Sequence, residues 1–362
     1  MTAQSIAVVG GSGFVGGEVV RRLVAAGYDV HGSFRTEKAP PWHVDDVNCS
    51  WAHVDLDHPA TIAPFVRDMA AVVHCAGHVP QPGQELAGAR QVAVRQLRSL
   101  LDICLASGVR RVVYVSSITT ALQQLASSED VDETHRYVPG STSNIHFEVK
   151  AAMEAEVYRY VASGLDVVIA LPTVVLGPGD RRSWAGRFVR SVAADRLPLR
   201  PTGLTINIVD VRDLAKGVVA ALQRGRTGRR YILGGTDIEL SELIEAVADV
   251  SGSTPSAMTI DALRAAPVIR LAQRAVQGGW PGARRASSIA TIFEIARRSN
   301  GISRKRAAGE LNAPTRRLQH TIRDTVQWFC RVGYLDWGNQ LRCWPPSPDS
   351  LYGGLDRYRS FC

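Results

Sequence analysis

A histidine and a lysine stand four residues apart in the run Ile145-His146-Phe147-Glu148-Val149-Lys150. On a helix such positions share a face, so an imidazole and an ammonium point the same way. Histidine works as an acid or a base, with a free pKa of about 6.5. A neighbouring ammonium disfavours imidazolium, so His146 is expected to be neutral at neutral pH. Upstream, Val113-Tyr114-Val115-Ser116-Ser117 ends an apolar run on two hydroxyls. At the start of the chain, Ile6-Ala7-Val8-Val9 runs into glycines at Gly10, Gly13 and Gly16. Gly10 permits a tight turn, Gly13 lets backbone approach a pyrophosphate, and Gly16 lets a helix pack close to a sheet. The helix opened by Phe14 and Val15 would aim its first amides at the phosphates. Placed between a strand and a helix, the motif points to dinucleotide binding; the competing reading is a merely structural glycine turn.

The second strand selects among dinucleotides. An NAD site usually ends it with a carboxylate for the ribose 2′-hydroxyl. Here it ends Ser33-Phe34-Arg35-Thr36, with Lys38 nearby and no acid before Glu37. A guanidinium binds a 2′-phosphate bidentately and a carboxylate repels it, so NADPH is favoured, with Arg35 on the phosphate. Asp55 and Leu56, after the third strand, are placed to meet the adenine.

These residues need a scaffold. The chain of 362 residues is long enough for one large or two modest domains. Hydrophobic content of 45% and charged content of 21% read as globular. The chain carries a net charge of +8; its arginines form no long run, although Arg284-Arg285, Arg297-Arg298, Arg304-Lys305-Arg306 and Arg316-Arg317 crowd the last third. It reads as solvated helix faces, and no nucleic-acid module accompanies it. Six cysteines show neither Cys-x-x-Cys nor zinc spacing, so reduced thiols in a cytoplasmic protein are expected, a Cys343–Cys362 disulfide being the alternative for the tail. No signal peptide and no membrane span are expected.

Short Val- and Ile-rich runs predict strands at 5–9, 28–34, 51–54, 71–75, 111–116 and 166–171. Helices are predicted at 14–26, 59–68, 88–107 and 146–163, three of them followed by Gly27, Gly108 and Gly164. Alternating strands and helices predict an α/β fold, a Rossmann-type doubly wound parallel sheet with right-handed crossovers. Strands at 204–209 and 230–233 and helices at 211–223 and 239–251 follow, then a basic, alanine-rich helical stretch over 255–300 interrupted by Pro267 and Gly278-Gly279-Trp280-Pro281-Gly282. The expected division is a dinucleotide domain over 1–175 and a smaller α/β substrate region over 176–335. About 204–235 of that region returns to the first domain, and 336–362 forms an irregular tail.

The sequence resembles the extended short-chain dehydrogenases/reductases, the NAD-dependent epimerase/dehydratase group, and within it dihydroflavonol-4-reductase-like and 3β-hydroxysteroid-dehydrogenase-like proteins. The resemblance rests on the glycine turn, Val54-Asp55-Leu56, Val73-His74-Cys75-Ala76-Gly77, the run from Gly108 to Ser117, Lys150, Pro172-Thr173 through Asp180, and Val209-Asp210-Val211-Arg212-Asp213-Leu214-Ala215. It implies that Lys150 holds the nicotinamide ribose and Ser117 hydrogen-bonds the substrate carbonyl. Ala76, Gly77, Pro172 and Thr173 would line the cofactor. In the group a tyrosine four residues before the lysine delivers the proton; here His146 stands there. A helical asparagine of the group matches Ala93.

Three roles for His146 stay open: proton donor, shaper of a site whose proton comes from substrate or water, or part of a silent site. The expected activity is atypical NADPH-dependent reduction of a ketone on an apolar, aromatic or polyketide-like small molecule, as in secondary metabolism. The alternatives are a nucleotide-sugar epimerase/dehydratase and a catalytically silent NADP(H) sensor. Among further candidates, His74 is expected to be a packed, satisfied histidine, while His78 could face substrate. His135 and Tyr137 could replace the missing donor, and Trp184 and Phe188 could form a pocket or lid. No metal, nucleic acid or membrane partner is expected, and the chain is expected to be a monomer or homodimer.

Overall fold

The computed structural model describes residues 4–35, 48–77, 84–123, 130–262, 264, 292–298 and 301–335. In chain order the first half runs β1 (Ser5–Val9), α1 (Phe14–Ala25), β2 (Asp29–Phe34), β3 (Ser50–His53), α2 (Pro59–Val66), β4 (Ala71–His74), α3 (Leu86–Ala106), β5 (Arg111–Val115), α4 (Ile145–Ala162) and β6 (Val167–Pro172). The second half adds β7 (Val174–Leu176), α5 (Trp184–Ala193), β8 (Arg200–Thr202), β9 (Thr205–Asp210), α6 (Val211–Arg224), β10 (Arg230–Leu233), β11 (Thr236–Glu239), α7 (Leu240–Ser251), β12 (Thr259–Asp261), α8 (Lys305–Leu311) and α9 (Leu318–Arg331).

Seven strands form one parallel sheet in the order β10-β6-β5-β4-β1-β2-β3. Strand periodicity explains its two covers. Ala7, Val9, Val72, Val112, Tyr114, Ile169 and Leu171 face one core, with α2, α3 and α4 above them. Their neighbours Ile6, Val8, Val73, Val113, Val115, Val168 and Ala170 face the other, against α1 and α6. The register sets Val9 beside His74 and His74 beside Tyr114. The turns after β1, β4 and β5 therefore leave the sheet at one edge, where open α/β sheets bind ligands.

A third core lies beyond that edge. β7, β9 and β11 form a small sheet covered by α5, α7 and α9. The buried Arg212 at the start of α6 fastens α9 to it, with Nε and Nη2 on Asp210 at 2.9 and 2.7 Å and Nη1 on Asp324 at 2.8 Å.

One expectation needs correction. The helical stretch expected over 255–300, with breaks at Pro267 and Gly278–Gly282, does not begin as a helix: Thr259–Asp261 is the strand β12, paired in parallel with β8. Its β-branched Thr259 and Ile260 suit an extended backbone, and the β8 edge supplies the partner. Residues 292–296 are helical. Residues 265–291 and the tail with Cys343 and Cys362 lie outside the described residues.

Candidate functional site

The glycine turn is built for a close approach. Gly10 takes φ +81° and donates its N–H to the Ser33 hydroxyl at 2.8 Å. A Cβ on Gly10 would sit 2.7 Å from the Ala76 nitrogen, and one on Gly16 would sit 2.0 Å from the Gly10 oxygen. Gly13 caps α1 without a side-chain bond, and the first turn holds no acid. The α1 amides, opened by the half-buried Phe14 and Val15, are thus free to meet an anion. This cradle fits a pyrophosphate.

Arg35, exposed, follows directly on β2. Its carbonyl accepts from His53 Nε2 at 2.9 Å, and the His53 ring lies edge-on to Phe34. Asp55 turns its carboxylate to the Asp57 amide at 3.0 Å and to His58 Nδ1 at 3.0 Å, which holds its pKa below the usual range. Leu56 is half-buried. Lys38 and His78 lie outside the described residues.

At the sheet edge, Cys75 and Ala76 both donate to the Val9 carbonyl, at 2.9 and 3.0 Å, which brings Ala76 and Gly77 beside the glycine turn. Ser117 follows β5 and opens a short 3-10 turn, Ile118–Thr120, accepting from the Thr119 amide at 3.3 Å. Its hydroxyl proton has no partner among the described bonds. Asn144 caps α4 by accepting from the His146 amide at 3.0 Å. His146, Lys150 and Glu154 then recur along one face of the helix. Lys150 is buried, and its Nζ would lie 3.1 Å from a Cβ on Gly77, so the ammonium reaches the loop after β4. Pro172 ends β6, and Thr173 is buried with an unpartnered hydroxyl.

Burial dominates the electrostatics. It pulls Lys150 down to about 8, opposed by the Glu154 carboxylate and Cys75. It holds the half-buried His146 down to about 4, with the Lys150 ammonium as the second cause. At neutral pH the pair is therefore an ammonium beside a neutral imidazole.

Several expectations meet different surroundings. His74 is buried as expected, but it is not satisfied: neither ring nitrogen has a partner among the described residues. Burial and then Lys150 push it down to about 3. Tyr137 is buried and donates to Glu148 Oε1 at 2.5 Å, while His135 Nδ1 sits 2.8 Å from Asp132. Neither group is released toward the site. Trp184 and Phe188 stack on α5 at 5.0 Å. Ala93 is fully buried on α3 and offers no polar group.

Glu154 is the residue the sequence reading missed. It is buried and accepts from Ser116 and Thr120. Its signal was present, since it falls one helical turn after Lys150. Among the described residues no group of three or more His, Cys, Asp or Glu is placed to hold a metal ion, and no helix is long and apolar enough to cross a membrane.

A parallel sheet with a glycine turn, a buried lysine and a hydroxyl at one edge defines a dinucleotide-binding protein of the Rossmann class. The model of the NAD dependent epimerase/dehydratase family matches residues 6–234, and the chain belongs to that family. It is similar to cinnamoyl-CoA reductase 1 of Oryza sativa subsp. japonica, 26% identical over 264 residues, covering 70% of this chain and 78% of that protein. It is also similar to the dihydroflavonol 4-reductase of Zea mays, 25% identical over 274 residues, covering 68% and 74%. The structure of PA4631, a nucleoside-diphosphate-sugar epimerase from Pseudomonas aeruginosa, shares the fold with a TM-score of 0.75 at 22% identity, covering 92% of this chain and all of that one.

Proposed function

We propose that the chain is an atypical NADPH-dependent ketoreductase acting on a small apolar or aromatic ketone. The reductase names among its relatives support the reaction class. Arg35 at the end of β2, where a carboxylate would stand for NAD, supports the phosphorylated cofactor. In this reading the glycine turn and α1 hold the pyrophosphate, Asp55 and Leu56 border the adenine, and Lys150 holds the nicotinamide ribose. Ala76, Gly77, Pro172 and Thr173 flank the ring. The reduced nicotinamide supplies the hydride.

Ser117 donates its hydroxyl to the substrate carbonyl oxygen and orients it. The remaining question is the proton. With a pKa of about 4, His146 is imidazolium in only on the order of one molecule in a thousand at neutral pH. Its neutral ring can donate a hydrogen bond but would have to become imidazolate to give up the proton. The placement of His146 one turn before the buried Lys150 ammonium, which keeps the ring neutral, favours the reading in which His146 shapes the pocket and the proton comes from water or from the substrate. A phenol or enol already bonded to the ketone would neutralise the forming alkoxide, leaving the protein to supply proximity and orientation.

The test is NADPH oxidation followed by absorbance across aromatic ketones with and without an adjacent hydroxyl. His146→Phe is expected to keep its rate within about tenfold of the parent. A loss of a hundredfold or more, the scale of general acid catalysis, would make His146 the donor. The epimerase/dehydratase reading has the support of the family match, of a UDP-glucose 4-epimerase among the relatives and of the shared fold, and Arg35 weighs against it.

A further inference from the structure

We propose that Glu154 and Arg230 are positioning residues of this site, a buried ion pair that locks the Ser117 turn against the Lys150 helix, with the Glu154 carboxylate set one turn from the lysine. The proposal rests on the reading of Lys150 and Ser117 given above and extends it to groups beneath them.

Glu154 Oε2 accepts from Ser116 Oγ at 2.7 Å and from Thr120 Oγ1 at 2.7 Å. The Thr120 hydroxyl also lies 2.9 Å from the carbonyl oxygen of Ser117, so the carboxylate grips both ends of the turn that carries Ser117. Glu154 Oε1 faces Arg230 Nε at 2.9 Å, with both side chains buried. Arg230 Nη2 donates to Thr120 Oγ1 at 2.9 Å and Nη1 donates to the His135 carbonyl at 2.6 Å. One array thus joins β5, the 3-10 turn, α4, β10 and the loop that leads into α4. Removing one partner of a buried pair leaves the other charge uncompensated, so this is an expensive arrangement to keep for packing alone.

The array has an electrical role as well. Lys150 faces His146 and Glu154 on its own helix and His74 and Cys75 at the end of β4. Of these, Glu154 is the carboxyl group, and burial holds the Cys75 thiol up at about 12. Glu154 in turn faces Tyr114, Tyr158 and Arg230, and Arg230 faces Glu133 and Arg136. Burial alone would strip the Lys150 proton, and the Glu154 carboxylate one turn away opposes that loss. Arg230 tempers the same carboxylate from the other side. The two residues therefore act on Lys150 with opposite signs.

The lysines of this chain are Lys38, Lys150, Lys216 and Lys305, so 13Cε-lysine labelling gives a short spectrum in which Lys150→Met assigns the signal. The titration is run on the full chain without cofactor or substrate, so it does not depend on the reaction proposed. Parent Lys150 is expected to titrate near 8. Glu154→Gln, which keeps shape, should move the midpoint toward acid by about one unit or more, and Arg230→Gln should move it toward alkali. A purely packing role would shift neither, or both the same way. A Glu154→Gln midpoint within about 0.3 unit of the parent, in protein with parental circular dichroism, overturns the proposal. If Arg230→Gln fails to fold, Glu154→Gln decides alone; if neither folds, Thr120→Val replaces them. Loss of that bridging hydroxyl should slow turnover at unchanged NADPH affinity, and an unchanged rate also overturns it.

Discussion

Lys150 and His146 share one helix face in a space that penalises charge on both. Both are pulled down by a similar amount; the imidazole ends neutral because its free value is lower, while the ammonium survives with help from Glu154. His74 shows the same penalty without help. Its folded pKa of about 3 lies below the unfolded value of about 6.5, so it binds fewer protons folded than unfolded in between. Stability is therefore full above about pH 6.5 and falls as pH drops, by about 3 kcal/mol at pH 4 from this group alone. His74→Leu removes both the titration and two orphaned ring nitrogens. Its urea midpoint should fall less steeply between pH 6.5 and pH 4 than the parent's; equal slopes would show that His74 has a partner after all.

At the scale of elements, the strands place the chemistry and the buried pairs hold the strands to the helices. Arg212 satisfies Asp210 and Asp324 together, linking β9, α6 and α9. Arg212→Met leaves two buried carboxylates facing each other, at an expected cost of about 3–5 kcal/mol in urea denaturation. A loss under about 1 kcal/mol would mean that Arg316, already 3.5 Å from Asp210, takes over. The Asp210 carboxyl is held below its usual range by the arginine. Its stabilising share is present above the unfolded carboxylate value and is lost as pH falls through the folded one.

Much of this was legible beforehand. The strands of the main sheet have continuous Val/Ile runs because both faces are covered, and the caps and glycines mark the helix ends. The short strands were not legible. β7, β8, β11 and β12 are three or four residues long and owe their form to the neighbour they pair with. α5 went unread although Ser183 caps it, accepting from the Gly186 amide at 3.1 Å. Glu154 was hidden for a related reason: an acid on a helix reads as solvated until Ser116, Thr120 and Arg230 converge on it from other elements.

For the whole molecule, the sheet brings the turn after β1, the loop after β4, the Ser117 turn and the start of α4 to one edge, with the third core facing them. In the proposed function this edge holds NADPH, with Arg35 reading its extra phosphate. Titration of the full chain with NADPH and NADH, followed by protein fluorescence, tests it most directly. Saturable binding is expected, with NADPH tighter, and Arg35→Ala should lose most of that preference while keeping NADH affinity. No uptake of either nucleotide, or NADH bound as tightly as NADPH by the parent, would contradict it.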